Sequence, residues 1–139
     1  MNIVSGIDPG AIRRDIGRFR VSTERERVAA FRSAIALSGG DDAGVPPTFP
    51  LTWWMEDEIK GALVGAMGVD PFRPDAALVH LDQTLDYQQP LAEGAEYWLD
   101  LVLIGPTGDE RFRVEAQIMD DAGRQIGFLA GSFARARLG

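Results

Sequence analysis

The spacing of apolar residues predicts a strand and two helices in the first half of the chain. A short alternation over 16–21 predicts a strand, and apolar residues at helical spacing over 23–36 predict an amphipathic helix that ends at two glycines. Thr23, with Glu26 three residues later, fits a capping box at the start of that helix. After a proline-rich loop, a second helical pattern over 51–66 is apolar on most of its surface, which favours a helix covered on more than one side.

The hydrophobic period falls to two in the second half of the chain, which predicts four strands. The segments are 77–89, 96–105, 111–120 and 124–138, and glycine-containing turns join the last three. Alternation in the first segment puts His80 on the polar face, away from the core. If a bulge shifts the register by one residue, His80 instead faces the helix and is the imidazole available as a base. The second segment is apolar on both faces and is expected to be buried on both. The last three strands should form an antiparallel meander.

This order of elements predicts how the chain packs. A largely apolar helix and an antiparallel sheet bury each other best when the sheet curls around the helix. That α+β architecture is the hot-dog fold, expected here as one domain over 1–139 with an irregular segment over 1–15. A cone-shaped sheet of the steroid-isomerase type is the alternative, although it usually has more helix ahead of its sheet. The apolar segment 96–105 also predicts a dimer or a dimer of dimers, because one small helix cannot cover both its faces.

Composition limits the chemistry of the chain. One histidine and no cysteine exclude a thiolate nucleophile and leave too few ligands for most zinc sites, so no metal is expected. A formal net charge of −7 without a basic patch argues against nucleic acid as a partner. No apolar run approaches the roughly 20 residues that span a bilayer, and the first residues do not resemble a secretory signal. A cytoplasmic protein that binds no membrane is therefore expected.

Two stretches resemble the MaoC-like dehydratase domains, in particular the N-terminal, fungal fatty-acid-synthase type. VPPTFP resembles the Ala-Pro-Pro-Thr-Phe element of that type. The likeness covers about residues 16–137, and active members of the family carry Gly-Asp-x-Asn-Pro-x-His in a loop. Here Gly-Asp stands at 40–41, but no Asn-Pro and no histidine follow it. The stretch VHLDQTLDYQQPLAEGA matches a strand motif of the family at His80, Gln83, Tyr87, Pro90, Leu91 and Gly94, and departs from it at Leu81, Asp82 and Ala95.

The resemblance implies a protein that adds or removes water across the double bond of an acyl thioester. Coenzyme A or acyl carrier protein would be the carrier, with no other cofactor. Asp41 and Asp42 are the candidate catalytic residues, and amides near 51–53 are candidate donors to the thioester oxygen. A solvated turn, core aromatics and a hydrogen-bonded strand histidine are the simpler interpretations. The candidate substrate-binding residues are Thr48, Phe49, Trp53, Trp54 and His80.

The missing loop histidine predicts that the chain alone hydrates enoyl thioesters poorly, because a positioned imidazole typically supplies a factor of about 10² to 10⁴. It would then be the substrate-holding subunit of a larger enzyme, as a homodimer or as a heterodimer with another hot-dog subunit. Two alternatives remain open. One is a thioesterase that uses a carboxylate of the second helix, Glu56 or Asp57, and the other is a non-catalytic module that binds acyl groups or lipids.

Overall fold

A computed structural model describes residues 12–35, 45–68, 78–107 and 111–135. Within these ranges the chain forms five strands, two α-helices and one 3₁₀ helix. None of the helices described is long and apolar enough to cross a membrane. The elements are β1 (Arg13–Ser22), α1 (Arg25–Ile35), the 3₁₀ helix (Phe49–Met55), α2 (Asp57–Met67), β2 (Leu78–Tyr87), β3 (Glu96–Ile104), β4 (Arg111–Met119) and β5 (Gln125–Arg135).

The second predicted helix is divided into two parts. The prediction of one helix over 51–66 is wrong at its first turns, where a 3₁₀ helix runs to Met55. Glu56 then takes an extended conformation, with φ −68° and ψ 141°, and α2 begins at Asp57. An extended residue cannot continue a helix, so the 3₁₀ helix and α2 are separate elements.

All five strands belong to one antiparallel sheet in the order β1-β3-β4-β5-β2. The predicted meander of the last three strands is confirmed. One face of the sheet, called the inner face here, joins a single hydrophobic cluster with α2. On α2 the buried residues are Ile59, Leu63 and Met67, at helical spacing, while Gly61 and Gly65 on the opposite side are exposed. Within the described chain, α2 is therefore covered on one side only.

The outer face of the sheet is polar and charged where it crosses β1 and β3. Inner-face residues of β3 are buried, but the residues between them are only half-buried, so burial of this strand on both faces was a wrong expectation. Arginines of β1 cover its outer face. The Arg20 guanidinium lies 4.7 Å from the centre of the Trp98 ring, and Arg18 forms an ion pair with Asp100 at 2.6 Å. These arginine side chains pack over the outer face of β3, which the apolar sequence of the strand had suggested would be in the core.

Thr23 does not cap α1. The helix begins at Arg25, and the Thr23 side chain is fully buried and turned towards the loop between β2 and β3. Its hydroxyl donates to the Ala92 carbonyl at 2.5 Å and accepts from the Ala95 amide at 2.9 Å. The Thr23 carbonyl also accepts from the Gly94 amide at 2.7 Å. The capping-box prediction is therefore wrong, and Thr23 instead fastens the end of β1 to this loop.

Thr23→Val is expected to lower the free energy of unfolding by about 2–3 kcal/mol. Valine keeps the volume of threonine but leaves the Ala92 carbonyl and the Ala95 amide without their buried partner. Urea unfolding of the variant measures the loss. Thr52→Val is the matched control, because the Thr52 hydroxyl makes a single bond, to the Phe49 carbonyl at 2.8 Å, in a half-buried place. Equal losses in the two variants would contradict the role given to Thr23.

A bulge in β2 turns His80 onto the inner face. The register passes from His80 opposite Phe133 to Asp82 opposite Ser132, so Leu81 is one residue too many on β2. A bulge of this kind shifts the alternation, and residues on its two sides exchange faces. The His80 ring stacks on Phe133, with centres 4.9 Å apart and planes 18° apart. The prediction that His80 lies on the outer, polar face is wrong.

Candidate functional site

A pocket of about 280 Å³ lies between the proline-rich loop and the loop that follows β2. We call it the proline pocket. The two stretches that line it are the same two that carry the sequence resemblance, although they are far apart in the chain. Its lining is mostly apolar, with two glutamines at the rim. The lining residues are Val45, Pro46, Pro47, Tyr87, Gln88, Gln89, Pro90 and Leu91.

Tyr87 fastens one side of the proline pocket to the other. Its hydroxyl donates to the Pro47 carbonyl at 2.6 Å, which ties the end of β2 to the loop ahead of the 3₁₀ helix. The ring lies on the inner face opposite Gly127, where a Cβ atom would come within 2.7 Å of it. Burial raises the pKa of Tyr87 from 10.0 to about 12. The neutral phenol is therefore the form that the fold stabilises.

The stability that Tyr87 contributes is expected to be lost in alkali. Because the folded protein has the higher pKa, this contribution is complete below pH 10.0 and disappears as pH rises through about 12. Urea unfolding at a series of pH values should show a fall in this window in the wild type. In Tyr87→Phe that part of the fall should be absent. Identical alkaline profiles in the two proteins would show that Tyr87 ionises as freely in the folded state as in the unfolded state.

A second feature lies on the inner face where β2 and β5 meet, and we call it the notch. Three side chains converge above the Cα atom of Gly131. A Cβ atom at this position would lie 3.4 Å from His80 Nε2, 3.3 Å from Gln83 Oε1 and 3.2 Å from the Trp54 ring. A side chain at this position would therefore press on all three neighbours, and the Phe133 ring stacks on the imidazole.

The notch presents polar atoms that the described protein leaves unpaired. Gln83 Nε2 donates to the Ala130 carbonyl at 2.7 Å, which holds the amide in place and leaves Oε1 as a free acceptor. The His80 imidazole has no hydrogen-bond partner among the described residues. Trp54 is 3% exposed and faces Gly131 with Cζ3 rather than with its buried Nε1, which also lacks a partner among the described residues. His80 is exposed and Gln83 is half-buried, so a ligand can reach both polar atoms, and convergent polar groups of this kind are a feature of ligand sites.

The fold resembles several solved structures at low sequence identity. The C-terminally truncated HadBC (3R-hydroxyacyl-ACP dehydratase) complex from Mycobacterium tuberculosis aligns with a TM-score of 0.61 and 16% identity, over 91% of this chain and 97% of that one. The R-hydratase PhaJ1 from Pseudomonas aeruginosa aligns with a TM-score of 0.52 and 16% identity, over 91% and 81% of the two chains. The chain has the hot-dog fold. The predicted architecture is therefore confirmed.

Thioesterases share this hot-dog fold with hydratases. The fluoroacetyl-CoA thioesterase FlK aligns with a TM-score of 0.57 and 13% identity, over 89% of this chain and 84% of that one. No protein-family model matches the chain, and no curated protein sequence matches it significantly. The comparisons at these identities identify the fold, and function has to be argued from the residues of the site.

The candidate site residues fall in different parts of the hot-dog domain. Trp54 and His80 come together at the notch. Phe49 and Trp53 are buried in the core, where their rings meet edge to face with centres 6.3 Å apart. Thr48 is exposed at the start of the 3₁₀ helix. Their contact with a substrate stays a prediction. The candidate catalytic residues Asp41 and Asp42 lie outside the described residues.

The residues of the two features that had no predicted role include Gln83, Tyr87 and Gly131. The first two belong to the family-like motif in the sequence, and that motif was the available signal for them. Nothing in the sequence pointed to Gly131, because its importance comes from the packing of side chains on another strand and on the 3₁₀ helix.

Amides near 51–53 do not form the start of the hot-dog helix. They lie inside the 3₁₀ helix, and the Leu51 amide donates to the Thr48 carbonyl at 3.1 Å. The expected donor site is therefore wrong in position. The free amides of α2 begin at Asp57, and the first turn carries Asp57 and Glu58. Those carboxylates already compensate the positive end of the helix dipole, which disfavours a further anion there.

Proposed function

We propose that this hot-dog protein binds an acyl thioester along the inner face of β2 and serves a hydratase or dehydratase reaction. The notch is the observation that carries the proposal. His80 Nε2 and Gln83 Oε1 both lie over Gly131, and neither has a hydrogen-bond partner among the described residues. The imidazole nitrogen can donate or accept a hydrogen bond, and the amide oxygen accepts one. This pair suits a hydroxyl, a water molecule or an amide. A 3-hydroxyacyl or enoyl thioester with its water brings such groups.

The 3₁₀ helix connects the proline pocket with the notch. The loop ahead of it is bonded to Tyr87 through Pro47, and Trp54 near its end packs at Gly131. Tyr87 and Gln83 are four residues apart on one face of β2, which corresponds to about 13 Å. A ligand can therefore lie along this face with its polar part at the notch, and a long acyl chain can reach the proline pocket.

The chemistry assigns separate tasks to the residues. Hydration needs a base for water and an acid for the α-carbon, and neither task needs a metal or a redox group. In the proposal, His80 and Gln83 orient the oxygen that is added or removed, and Asp41 or Asp42 is the proton-transferring carboxyl group. Coenzyme A or pantetheine enters only as part of the substrate. A second hot-dog subunit would complete the relay that the missing loop histidine leaves open.

Two assays on the purified chain test this function. Calorimetric titration with butyryl-CoA should show saturable binding that is tighter than the binding of free coenzyme A. Hydration of crotonyl-CoA, followed by the loss of enoyl absorbance, should be slow or absent. Failure to bind any acyl-CoA would contradict the proposal. Fast hydration by the chain alone, lost in Asp41→Asn or Asp42→Asn, would show that an aspartate is sufficient and that no partner is needed.

The thioesterase alternative depends on a carboxylate of the second helix. Glu56 is half-buried and its Oε2 lies 3.3 Å from Arg27 Nη1, so it already has an ion-pair partner. Asp57 is exposed. Release of free coenzyme A from butyryl-CoA measures this activity directly. Release that is abolished by Glu56→Gln or Asp57→Asn would favour a thioesterase over the function proposed here.

A further inference from the structure

We propose that the protein selects acyl thioesters with chains of about twelve or more carbons, and that the proline pocket holds the end of the chain. The inference rests on the proposed function, because it takes the oxygen-bearing third carbon of the thioester, C3, to lie at the notch. It adds which end of the ligand runs along β2 and how long that end has to be.

The inner face of β2 is apolar between the notch and the proline pocket. Leu85 lies between Gln83 and Tyr87 on this face, and it pairs with Leu129 of β5, which is 0% exposed. Leu85 itself is half-buried, so part of its side chain is open to a ligand. Asp86 does not interrupt this strip, because it lies on the outer face. A chain laid from Gln83 towards Tyr87 therefore meets apolar side chains on its way.

The proline pocket suits the end of an acyl chain better than it suits the carrier. Coenzyme A is rich in phosphate and amide groups, and phosphates bind where basic side chains or free backbone amides are offered. None of the described residues that line the pocket is charged, and its polar side chains include Gln88 and Gln89 at the exposed rim. An amide drawn further in, among the prolines, Val45 and Leu91, would lose water without gaining a partner. A methyl group there leaves water favourably.

The separation of the two features sets the length of the chain. Gln83 and Tyr87 are four residues apart on the strand, which corresponds to about 13 Å. Carbon–carbon bonds of about 1.5 Å advance about 1.3 Å each in an extended zigzag, so about ten carbons beyond C3 cover this distance. An octanoyl chain therefore ends near Leu85, whereas a tetradecanoyl chain enters the pocket. The pocket volume of about 280 Å³ leaves room for the last few methylene groups.

Affinity should therefore rise once the chain is long enough to enter the pocket. Each methylene group that leaves water for an apolar pocket adds up to about fourfold in affinity. Calorimetric titration with 3-hydroxyoctanoyl-CoA and 3-hydroxytetradecanoyl-CoA, below the concentration at which the longer thioester forms micelles, gives the ratio of the two dissociation constants. We expect the longer thioester to bind at least about thirtyfold more tightly.

Val45→Trp tests whether the proline pocket causes this ratio. Val45 is half-buried in the pocket wall, and an indole in its place takes up the room that the chain end needs. The ratio should fall by at least about fivefold. Ala92→Trp is the matched control, because Ala92 is exposed on the same side of the domain, in the loop after β2, but is not among the described residues that line the pocket. It should keep the wild-type ratio.

Two outcomes would overturn the inference. One is a wild-type ratio near one, or a ratio that Val45→Trp leaves unchanged. The other is an equal weakening of free coenzyme A and of both thioesters by Val45→Trp, which would put the carrier arm in the pocket. Circular dichroism melts establish that the variants are folded, and Gln89→Trp, at the exposed rim, takes the place of Val45→Trp if that variant is not.

A short thioester separates this inference from the proposed function. The chain of 3-hydroxybutyryl-CoA does not reach the proline pocket. If it binds while chain length has no effect, the proposed function stands and the role of the pocket is wrong. If no acyl-CoA of any length binds, both are wrong.

Discussion

Replacing both His80 and Gln83 by alanine is expected to weaken the binding of 3-hydroxybutyryl-CoA by about tenfold to a hundredfold. Each side chain offers one hydrogen bond to the ligand, and a net contribution of about 0.5–1.5 kcal/mol for each bond gives a loss of this size. His80 is exposed and Gln83 makes one bond within the protein, to Ala130. Stability should therefore fall by about 2 kcal/mol or less. Calorimetric titration and urea unfolding measure the two quantities.

Thr84→Ala is the matched control for this double variant. Thr84 lies on the same strand, one residue from Gln83, but on the outer face. Its removal should leave binding unchanged. If Thr84→Ala weakens binding as much as the double variant does, the ligand lies on the outer face, and the notch is not its site.

Trp53→Ala is expected to lower the free energy of unfolding by about 3–5 kcal/mol, the range for a large aromatic residue removed from a core. Trp53 is 0% exposed, and its Nε1 donates to the Ser22 carbonyl at 2.9 Å. The side chain thus joins the 3₁₀ helix to β1. Urea unfolding measures the effect, and Trp98→Ala is the control. Trp98 is half-buried under Arg20 on the outer face, so its removal should cost about 1 kcal/mol or less.

A different result for Trp53 would restore its predicted role at the substrate. If Trp53→Ala unfolds like the wild type but loses affinity for butyryl-CoA, the indole contacts the ligand rather than the core.

The sheet could be predicted from the sequence because its signal is local. Alternation over 111–120 and glycine turns on both sides fix β4 and its neighbours, and the structure has the meander in that order. The division of the second helix was harder to predict. The apolar stripe of the pattern continues on both sides of Glu56. Only the backbone conformation of that one residue separates the 3₁₀ helix from α2. Periodicity does not report a break of a single residue.

The position of His80 shows how one extra residue defeats a pattern argument. His80 and Gln83 are three apart, so in a regular strand they cannot share a face. Their common membership of a motif was the available hint of a bulge between them. The structure places the extra residue at Leu81 and brings both side chains above Gly131. The expected burial of the outer face of β3 was wrong for another reason. The arginines that cover this face come from a strand that is distant in sequence.

Binding at the notch is tested most directly by magnetic resonance of the imidazole. The chain has a single histidine, so every imidazole resonance belongs to His80. Titration with butyryl-CoA should shift these resonances saturably, with the same dissociation constant that calorimetry gives. Free coenzyme A should shift them less. Imidazole resonances that stay unchanged while calorimetry shows the protein saturated would place the thioester elsewhere and contradict the account.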